Sequence, residues 1–345
     1  MDTIVECVPN FSEGRNPAVI DAIRASIARV EGVKLLGVEP DTDYNRTVVT
    51  FVGEPGPVAE AAFNATKTAA ETIDMRVHKG AHPRLGATDV VPFIPVRGVT
   101  MEACVALSKA YARRVGDELS IPVYLYEYAA QAAYRRNLAD IRKGEYEGLE
   151  AKLKDERWLP DFGPAHFNAQ SGAVITGARK ILIAYNVNLD TSDAGVAQEI
   201  ALRIREIGRP MKDASGQVVK DASGQTIRIP GTLKAVKAMG VLLERCSIAQ
   251  VSINLVDYPV TPPHVVFEEV KRHARELGVE VTGSELVGLM PLEAILMAGR
   301  FYAEASGMKP DAHGERALVE LAVERLGLSQ LDPFTPDTKI IEYQL

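Results

Sequence analysis

The chain is predicted to be an α/β protein of the α+β type, built from two units that each follow a βαββαβ plan. Short apolar runs and helical apolar spacings alternate in the order β-α-β-β-α-β over residues 3–96. The same order recurs over residues 180–287. Pro9-Asn10 and Asn186-Val187-Asn188 stand at equivalent strand ends of the two segments. Two related ferredoxin-like units in one chain account for these three observations.

The elements of the first unit follow from apolar periodicity and from punctuation by proline and glycine. Pro17 suits the first turn of a helix, and Gly32 follows the predicted end of that helix. Two β-branched runs then predict strands, and an alanine-rich stretch predicts a long helix. Pro92 and Pro95 in the last run indicate an edge strand or an irregular one. The predicted spans are 3–8, 16–30, 33–38, 47–52, 57–75 and 89–96.

The second unit is predicted in the same way, with Gly208 and Gly278 closing its two helices. Its predicted spans are 180–187, 194–207, 235–243, 249–256, 263–277 and 279–287.

Further segments extend this plan. A helix is expected over 101–119, a strand over 123–126, a long helix over 129–153 and an ordered connecting loop over 155–171. The stretch 210–230 contains DASGQ twice, which indicates an exposed hairpin. From Pro291, two amphipathic helices precede PFTPDTKIIEYQL, a predicted docking segment with an apolar end.

The composition indicates a soluble protein of a reducing compartment. A net charge of −7 argues against a general nucleic-acid binder, which needs a basic face. Cys7, Cys104 and Cys246 are too few and too scattered for a disulfide framework or a zinc site. The amino-terminal residues show no secretory signal pattern, and no run approaches the roughly 18 apolar residues of a membrane span. The predicted location is the cytoplasm, without membrane contact.

The stretch RVHKGAHPRLGATDVVPFIPV, residues 76–96, presents one imidazole at the mouth of a predicted strand. His82 lies between Gly80 and Pro83, with the cationic side chains of Lys79 and Arg84 close in sequence. Because imidazole has an ordinary pKa of roughly 6.5, it can take and return a proton near neutrality. The pattern indicates an acid–base residue, and an ordinary loop histidine is the alternative.

Other kinds of chemistry have weaker signals. His78 and His82 are four residues apart, but Gly80 and Pro83 interrupt a helix, so no metal site is predicted. The sequence has no dinucleotide or phosphate loop and no G-x-S-x-G elbow.

Two more stretches could bind a ligand. Residues 160–189 combine glycines, which let backbone approach a ligand closely, with aromatic rings such as Phe167 that offer a flat face. A linker between the two units is the alternative there. Residues 8–15 turn from a strand into a helix, where backbone N–H groups would accept a carboxylate, unless Ser12 or Asn16 only caps the helix.

Long motifs in the chain are similar to those of one known family. They are ECVPNFSEGRN (6–16), NRTVVTFVG (45–53), HKGAHPRLGATDVVPFIPVRGV (78–99), PVYLYE (122–127), RKGEYEGL (142–149), DFGP (161–164), GARKILIAYNVNL (177–189), ELVGLMPL (285–292) and IIEY (340–343). On these motifs the sequence resembles glutamate formiminotransferase over essentially its whole length. The resemblance implies the form without the cyclodeaminase domain.

The resemblance also implies a fold and site residues. The fold is two α/β subdomains, here 1–178 and 179–345, with facing sheets and a ligand tunnel between them, in a homodimer. The histidine of the His-Pro-Arg motif is catalytic, which here is His82. Substrate-binding roles are expected for Lys79, Arg84, Asn10, Glu39 and Asp41, with Glu39 where an aspartate is usual. The folate-binding segment maps to Gly163, Pro164, Ala165, His166, Phe167, Asn168, Ala169, Gln170, Ser171 and Gly172.

The implied reaction moves the formimino group of N-formimidoyl-L-glutamate to N5 of tetrahydrofolate, in histidine degradation. The products are 5-formimidoyltetrahydrofolate and L-glutamate, and the partners are small-molecule substrates without a metal. One imidazole could take a proton from the arriving nitrogen and give one to the departing nitrogen. Alternatives are formyl transfer from N-formylglutamate, cyclisation of 5-formyltetrahydrofolate, a non-catalytic folate-binding protein, or a two-domain scaffold without a cleft.

Overall fold

Two sheets, one in each part of the chain, organise the fold. The computed structural model describes residues 3–310 and 313–345, and the chain divides into two units between Lys180 and Ile181. Each unit contains the predicted βαββαβ plan, so the predicted fold class is confirmed. Within the described residues, no helix has the length and apolar character needed to cross a membrane.

The sheet of the first unit is a ferredoxin-like sheet that two more strands extend. Strands β1 to β5 pair antiparallel in the order β3-β4-β1/β2-β5, and β7 and β6 continue parallel to β5. The elements are β1 Ile4–Cys7, β2 Asn10–Phe11, α1 Pro17–Ala28, β3 Val33–Asp41, β4 Arg46–Gly53, α2 Pro55–Thr72, β5 Thr88–Arg97, α3 Met101–Leu119, β6 Val123–Glu127, α4 Leu138–Arg142, α5 Glu145–Lys152 and β7 Val174–Ala178.

Local chemistry explains where the first helices begin and how they pack. Pro17 occupies the first turn of α1, and the Asn16 side chain caps it by accepting from the Ala18 N–H. Alanines such as Ala61, Ala65 and Ala69 line the buried face of α2 and keep that helix close to the sheet. These helices cover one apolar core, which includes Phe51 and Phe93.

Of the two alternatives predicted for β5, an edge strand or an irregular one, the structure shows the irregular one. The strand lies between β1/β2 and β7, in the interior of the sheet. It is irregular, as predicted: its register with β1 steps from Pro95 to Arg97 and skips Val96. The bulge accommodates a proline, which cannot donate to the ladder, while burial of both faces keeps the strand central.

The predicted long helix over 129–153 is also wrong. A short 3₁₀ turn at Ala133–Arg135 precedes α4, and Gly144 separates α4 from α5 with φ of +91°. That left-handed conformation ends a helix and suits glycine. Strand β7 was not predicted, because five residues containing a glycine carry a weak local signal, and pairing with β5 and β6 decides their conformation.

The second unit has a four-stranded antiparallel sheet in the order β11-β12-β8-β13. The exposed hairpin is confirmed as the pair β9 and β10 with two turns between them. The docking segment is confirmed, since Ile340 and Ile341 are buried and Ile340 pairs with Met290. The elements are β8 Ile183–Leu189, α6 Ala194–Ile204, β9 Arg209–Pro210, β10 Arg228–Ile229, β11 Val236–Leu243, β12 Ile248–Leu255, α7 Pro263–Glu276, β13 Val281–Val287, α8 Leu292–Ala305, α9 Glu315–Leu326 and α10 Pro336–Lys339.

Candidate active site

The loop that carries His82 joins α2 to β5 and passes against the tip of the β3–β4 hairpin. The His82 N–H lies 3.4 Å from the Tyr44 carbonyl oxygen, and the Ala81 N–H lies 3.4 Å from the Asp43 carbonyl oxygen. Gly80 permits this approach, because a Cβ there would stand 2.3 Å from the same Tyr44 oxygen. The structure uses this glycine for close backbone packing.

His78 holds this loop through two hydrogen bonds of its ring, and the ring is neutral. Its Nδ1 accepts a 3.3 Å hydrogen bond from Nε of Arg84, which can only donate. Its Nε2 must therefore carry the proton that it donates to the Asn45 carbonyl oxygen, at 3.0 Å. Burial is the main cause that lowers the pKa of His78, which agrees with this neutral tautomer.

The ring of His82 is half-buried and meets the Tyr44 ring edge to face, with 6.4 Å between centroids. Burial, followed by the guanidinium charges of Arg142, Arg46 and Arg84, lowers the pKa of His82 to about 3. The imidazole is therefore neutral at pH 7 and has a free electron pair for a proton.

Arg46 and Arg142 reach the neighbourhood of His82 from different elements. Arg46 begins β4, and its Nη1 donates to the Asn10 side-chain oxygen at 3.1 Å. Arg142 ends α4 and pairs with the buried carboxylate of Asp89. Among the described residues, Nε of Arg46 and Nε of Arg142 are buried without a hydrogen-bond partner. The site thus keeps unused donors beside a neutral imidazole.

Arg84 is placed differently from its sequence expectation. Its side chain is 5% exposed and pairs with Glu145 at 2.9 Å and Glu147 at 2.7 Å. A substrate carboxylate at Arg84 would have to compete with these two carboxylates. The contacts of Arg84 are those of a residue that orders the loop and contributes positive charge near His82.

The other predicted substrate-binding residues lie around the β3–β4 hairpin. Asp41 caps the hairpin turn by accepting from the N–H groups of Asp43 and Tyr44. The charges of Asp41 and Glu39 raise the pKa of Arg46, which burial lowers. These two carboxylates therefore act on the charge of Arg46. Lys79 is exposed, and its carbonyl oxygen accepts from Asn45 at 2.8 Å.

The predicted folate segment, residues 163–172, folds back onto the His82 loop. Gly172 has φ of +69°, and a Cβ there would lie 2.1 Å from the Leu85 carbonyl oxygen. Gly86 and Gly172 form a β-bridge. Tyr146 connects the segment to Arg84, because its N–H donates to the Arg84 carbonyl oxygen and its ring lies 5.4 Å from the Phe167 ring. Much of this segment is exposed, including Ala165 and His166.

Sequence reasoning missed Arg46, Arg142 and Tyr146 as members of this group. In the sequence, Arg46 and Arg142 stand out only as members of the motifs NRTVVTFVG and RKGEYEGL. The burial of Arg142 against Asp89, 53 residues away, has no local signal. Within the described residues, no cluster of three or more His, Cys, Asp or Glu side chains could hold a metal ion.

Fold and site together define a class: an α/β protein of two ferredoxin-like units that holds a neutral histidine among arginines. Comparison with known proteins makes the class specific. A family model described as the formiminotransferase domain, N-terminal subdomain, matches residues 4–179, and one described as the formiminotransferase domain matches residues 184–345. The chain belongs to the formiminotransferase family.

The chain matches known proteins of two kinds, some of about its own length and some that are longer. The chain is 43% identical to a glutamate formimidoyltransferase of Streptococcus pyogenes serotype M1, over 88% of this chain and 94% of that protein. It is 42% identical to one of Thermoplasma acidophilum, over 93% and 99%. It is also 51% identical to the formimidoyltransferase-cyclodeaminase of Mus musculus, over 99% of this chain and 60% of that protein. The chain thus spans about three fifths of the length of such longer relatives.

Proposed function

We propose that the chain transfers the formimino group of N-formimidoyl-L-glutamate to N5 of tetrahydrofolate and releases L-glutamate. Family membership and the names of the two full-length relatives support this activity. The observation that carries it is the neutral, half-buried imidazole of His82 among three guanidinium groups. The reaction joins two polyanionic substrates and moves a proton between two nitrogens, and this site offers cations and a proton acceptor together.

The proposed chemistry exchanges one amine for another on an amidine carbon. N5 of tetrahydrofolate forms a bond to that carbon, and the carbon–nitrogen double bond becomes single. His82 takes the proton that N5 loses and delivers a proton to the glutamate nitrogen, whose bond to carbon breaks as the retained nitrogen of the formimino group re-forms the carbon–nitrogen double bond. Atoms and charge balance without a covalent enzyme intermediate. General acid–base assistance of this kind contributes typically 10²–10⁴-fold.

Tetrahydrofolate is the proposed co-substrate, and residues 163–172 are proposed to bind it. The exposed backbone of this segment and the Phe167 ring can contact a flat ring system. Its bridge to Gly86 would bring such a ligand to the loop of His82. A homodimer in the cytoplasm is proposed on the resemblance alone, and light scattering of the purified protein would test the dimer.

Replacement of His82 tests the proposed function. His82→Ala and His82→Gln should reduce kcat about 10²- to 10⁴-fold, because the proton relay is lost while the substrate contacts remain. Tetrahydrofolate binding, followed by fluorescence, should stay within about threefold of wild type. His313→Ala, at an exposed position of the second unit, is the matched control. Turnover close to wild type in His82→Ala would overturn the assignment, and a faster reaction with N-formylglutamate would favour formyl transfer.

A further inference from the structure

We propose that Arg46 and Arg142 together bind the α-carboxylate of formiminoglutamate beside His82, with Asn10 and Asp89 as their positioning residues. This inference rests on the proposed function and deepens it, because it assigns one substrate group to two residues. It also replaces Arg84 and Lys79 as the direct carboxylate ligands.

Arg46 has the geometry of an anion ligand. Its guanidinium carbon lies 5.9 Å from the centroid of the Tyr44 ring, and the same ring lies 6.4 Å from the His82 ring. Its hydrogen bond goes to Asn10, a neutral amide, so this contact orients the guanidinium without neutralising it. Burial lowers the pKa of Arg46, which means that its charge is poorly solvated and would gain from a partner.

Arg142 pairs with one carboxylate, and among the described residues its Nε has no hydrogen-bond partner. Its Nη2 pairs with one oxygen of Asp89, while the other oxygen of Asp89 accepts from the Leu85 N–H at 2.9 Å. Asp89 thereby ties Arg142 to the loop of His82. Nε of Arg142 is buried without a hydrogen-bond partner among the described residues, so one donor of this guanidinium is uncompensated. A guanidinium edge matches a carboxylate in a two-bond geometry.

Arg84 lacks a free donor, and Lys79 is not buried. Arg84 donates through Nε, Nη1 and Nη2 to His78, Glu145 and Glu147, so its fork is occupied. Lys79 is exposed, where water screens its charge. The unused, buried donor capacity around His82 therefore belongs to Arg46 and Arg142.

The substrate's own chemistry selects the α-carboxylate. The formimino group is attached to the nitrogen that is bonded to the α-carbon, and the α-carboxylate is attached to that same carbon. An anion site beside the residue that protonates this nitrogen can reach a group two bonds away from it. The γ-carboxylate is two carbons farther along the side chain and must lie farther from His82.

This arrangement couples donor binding to the basicity of His82. The charged and titratable groups around the ring are His78 and Arg84 on its own loop, Tyr44 and Arg46 on the hairpin, and Arg142 on α4, with Glu145 and Glu147 of α5 beyond Arg84. A carboxylate bound to Arg46 and Arg142 offsets two of the charges that lower the pKa of His82. The imidazole would thus become a better proton acceptor only when the donor is bound.

A substrate-trimming experiment tests the assignment. Formiminoglutamate is compared with N-formimidoyl-4-aminobutyrate, which lacks the α-carboxylate, and with N-formimidoyl-2-aminobutyrate, which lacks the γ-carboxylate. In the wild type, loss of the α-carboxylate should lower kcat/KM about 100-fold or more. In Arg46→Gln or Arg142→Gln this penalty should shrink to about tenfold or less, since the partner is gone, while the penalty for the γ-carboxylate stays unchanged.

Controls keep the two proposals distinguishable. Arg136→Gln, at an exposed arginine near α4, should keep both penalties. Arg142→Lys, which can still pair with Asp89, is the second variant if Arg142→Gln does not fold. It should also reduce the loss of kcat/KM that follows removal of the α-carboxylate. In the ligand-free protein, NMR titration should show a higher His82 pKa in Arg46→Gln than in wild type, because one neighbouring positive charge is removed. Active enzyme with an unchanged α penalty in both arginine variants would overturn this inference alone, whereas a wild type inactive with formiminoglutamate would overturn the proposed function.

Discussion

The properties of His82 arise from residues that are remote from it in sequence. The order Gly80, His82, Pro83 is local, and it predicts a histidine presented by a loop. The low pKa of the ring depends on burial and on Arg46 and Arg142, which come from a hairpin and from a separate helix. The role of Gly80 likewise depends on Tyr44, across the site. Local sequence thus points to the residue proposed for acid–base chemistry, and its neighbours determine its charge.

Gly80→Ala is expected to displace the loop of His82. The added Cβ would lie 2.3 Å from the Tyr44 carbonyl oxygen and 2.7 Å from the Asn45 Cβ, so the backbone must shift. A misplacement near 1 Å costs about 100-fold in rate, and kcat/KM should fall by about that factor. Gly148→Ala on α5 is the matched control, since nothing lies within 4 Å of its added Cβ. Equal activities of the two variants would contradict the packing role of Gly80.

Among the connections between elements, short ones hold the site in the first unit, and one longer insertion extends the second unit. The β3–β4 turn depends on Asn45 in the left-handed region, with φ of +48°, and its side chain bonds both Gly14 and Lys79 backbone groups. The α4–α5 break at Gly144 separates Arg142 from Glu145. The β9–β10 insertion instead consists of two successive turns, each closed by an aspartate side chain that accepts from the residues two and four positions later.

Deletion of residues 212–219 should leave the protein folded and active. These eight residues form one of the two turns and are almost all exposed. After the deletion Met211 takes the position of Val219, whose carbonyl oxygen accepts from Ile227 at 3.0 Å, so the second turn can close as before. The free energy of unfolding in urea should change by less than about 1 kcal/mol, because long surface insertions affect stability weakly. A loss of transfer activity would show that the insertion serves the site.

At the scale of the whole molecule, neutral buried histidines link stability to pH. Burial lowers the pKa of His264 to about 4, where its ring stacks on Phe301 with 4.6 Å between centroids. When the chain unfolds, this histidine returns to its ordinary pKa near 6.5. Between these two values the unfolded chain binds a proton that the folded chain does not, so stability falls as the pH falls from 6.5 towards 4. His82 adds to this loss over a wider range, down to about 3.

His264→Gln should reduce the acid sensitivity of folding. The variant cannot take up this proton on unfolding, so the decrease in unfolding free energy between pH 6.5 and 4 should be smaller by about 1 to 3 kcal/mol. Urea titrations of both proteins at several pH values measure the difference. The loss of stacking on Phe301 lowers stability at every pH and therefore leaves the slope unaffected. Parallel curves for variant and wild type would refute the linkage.

Local sequence is enough to predict the βαββαβ order within each of the two repeated units and the histidine at the mouth of β5, because periodicity, proline and glycine act over a few residues. Tertiary structure alone decided that β7 inserts between β5 and β6 and that β5 is central, since strand pairing is a long-range choice. It also decided that Arg84 is engaged by Glu145 and Glu147, 61 and 63 residues away, while Arg46 and Arg142 keep free donors beside His82. Burial and charge at that site come from chain segments that only folding brings together.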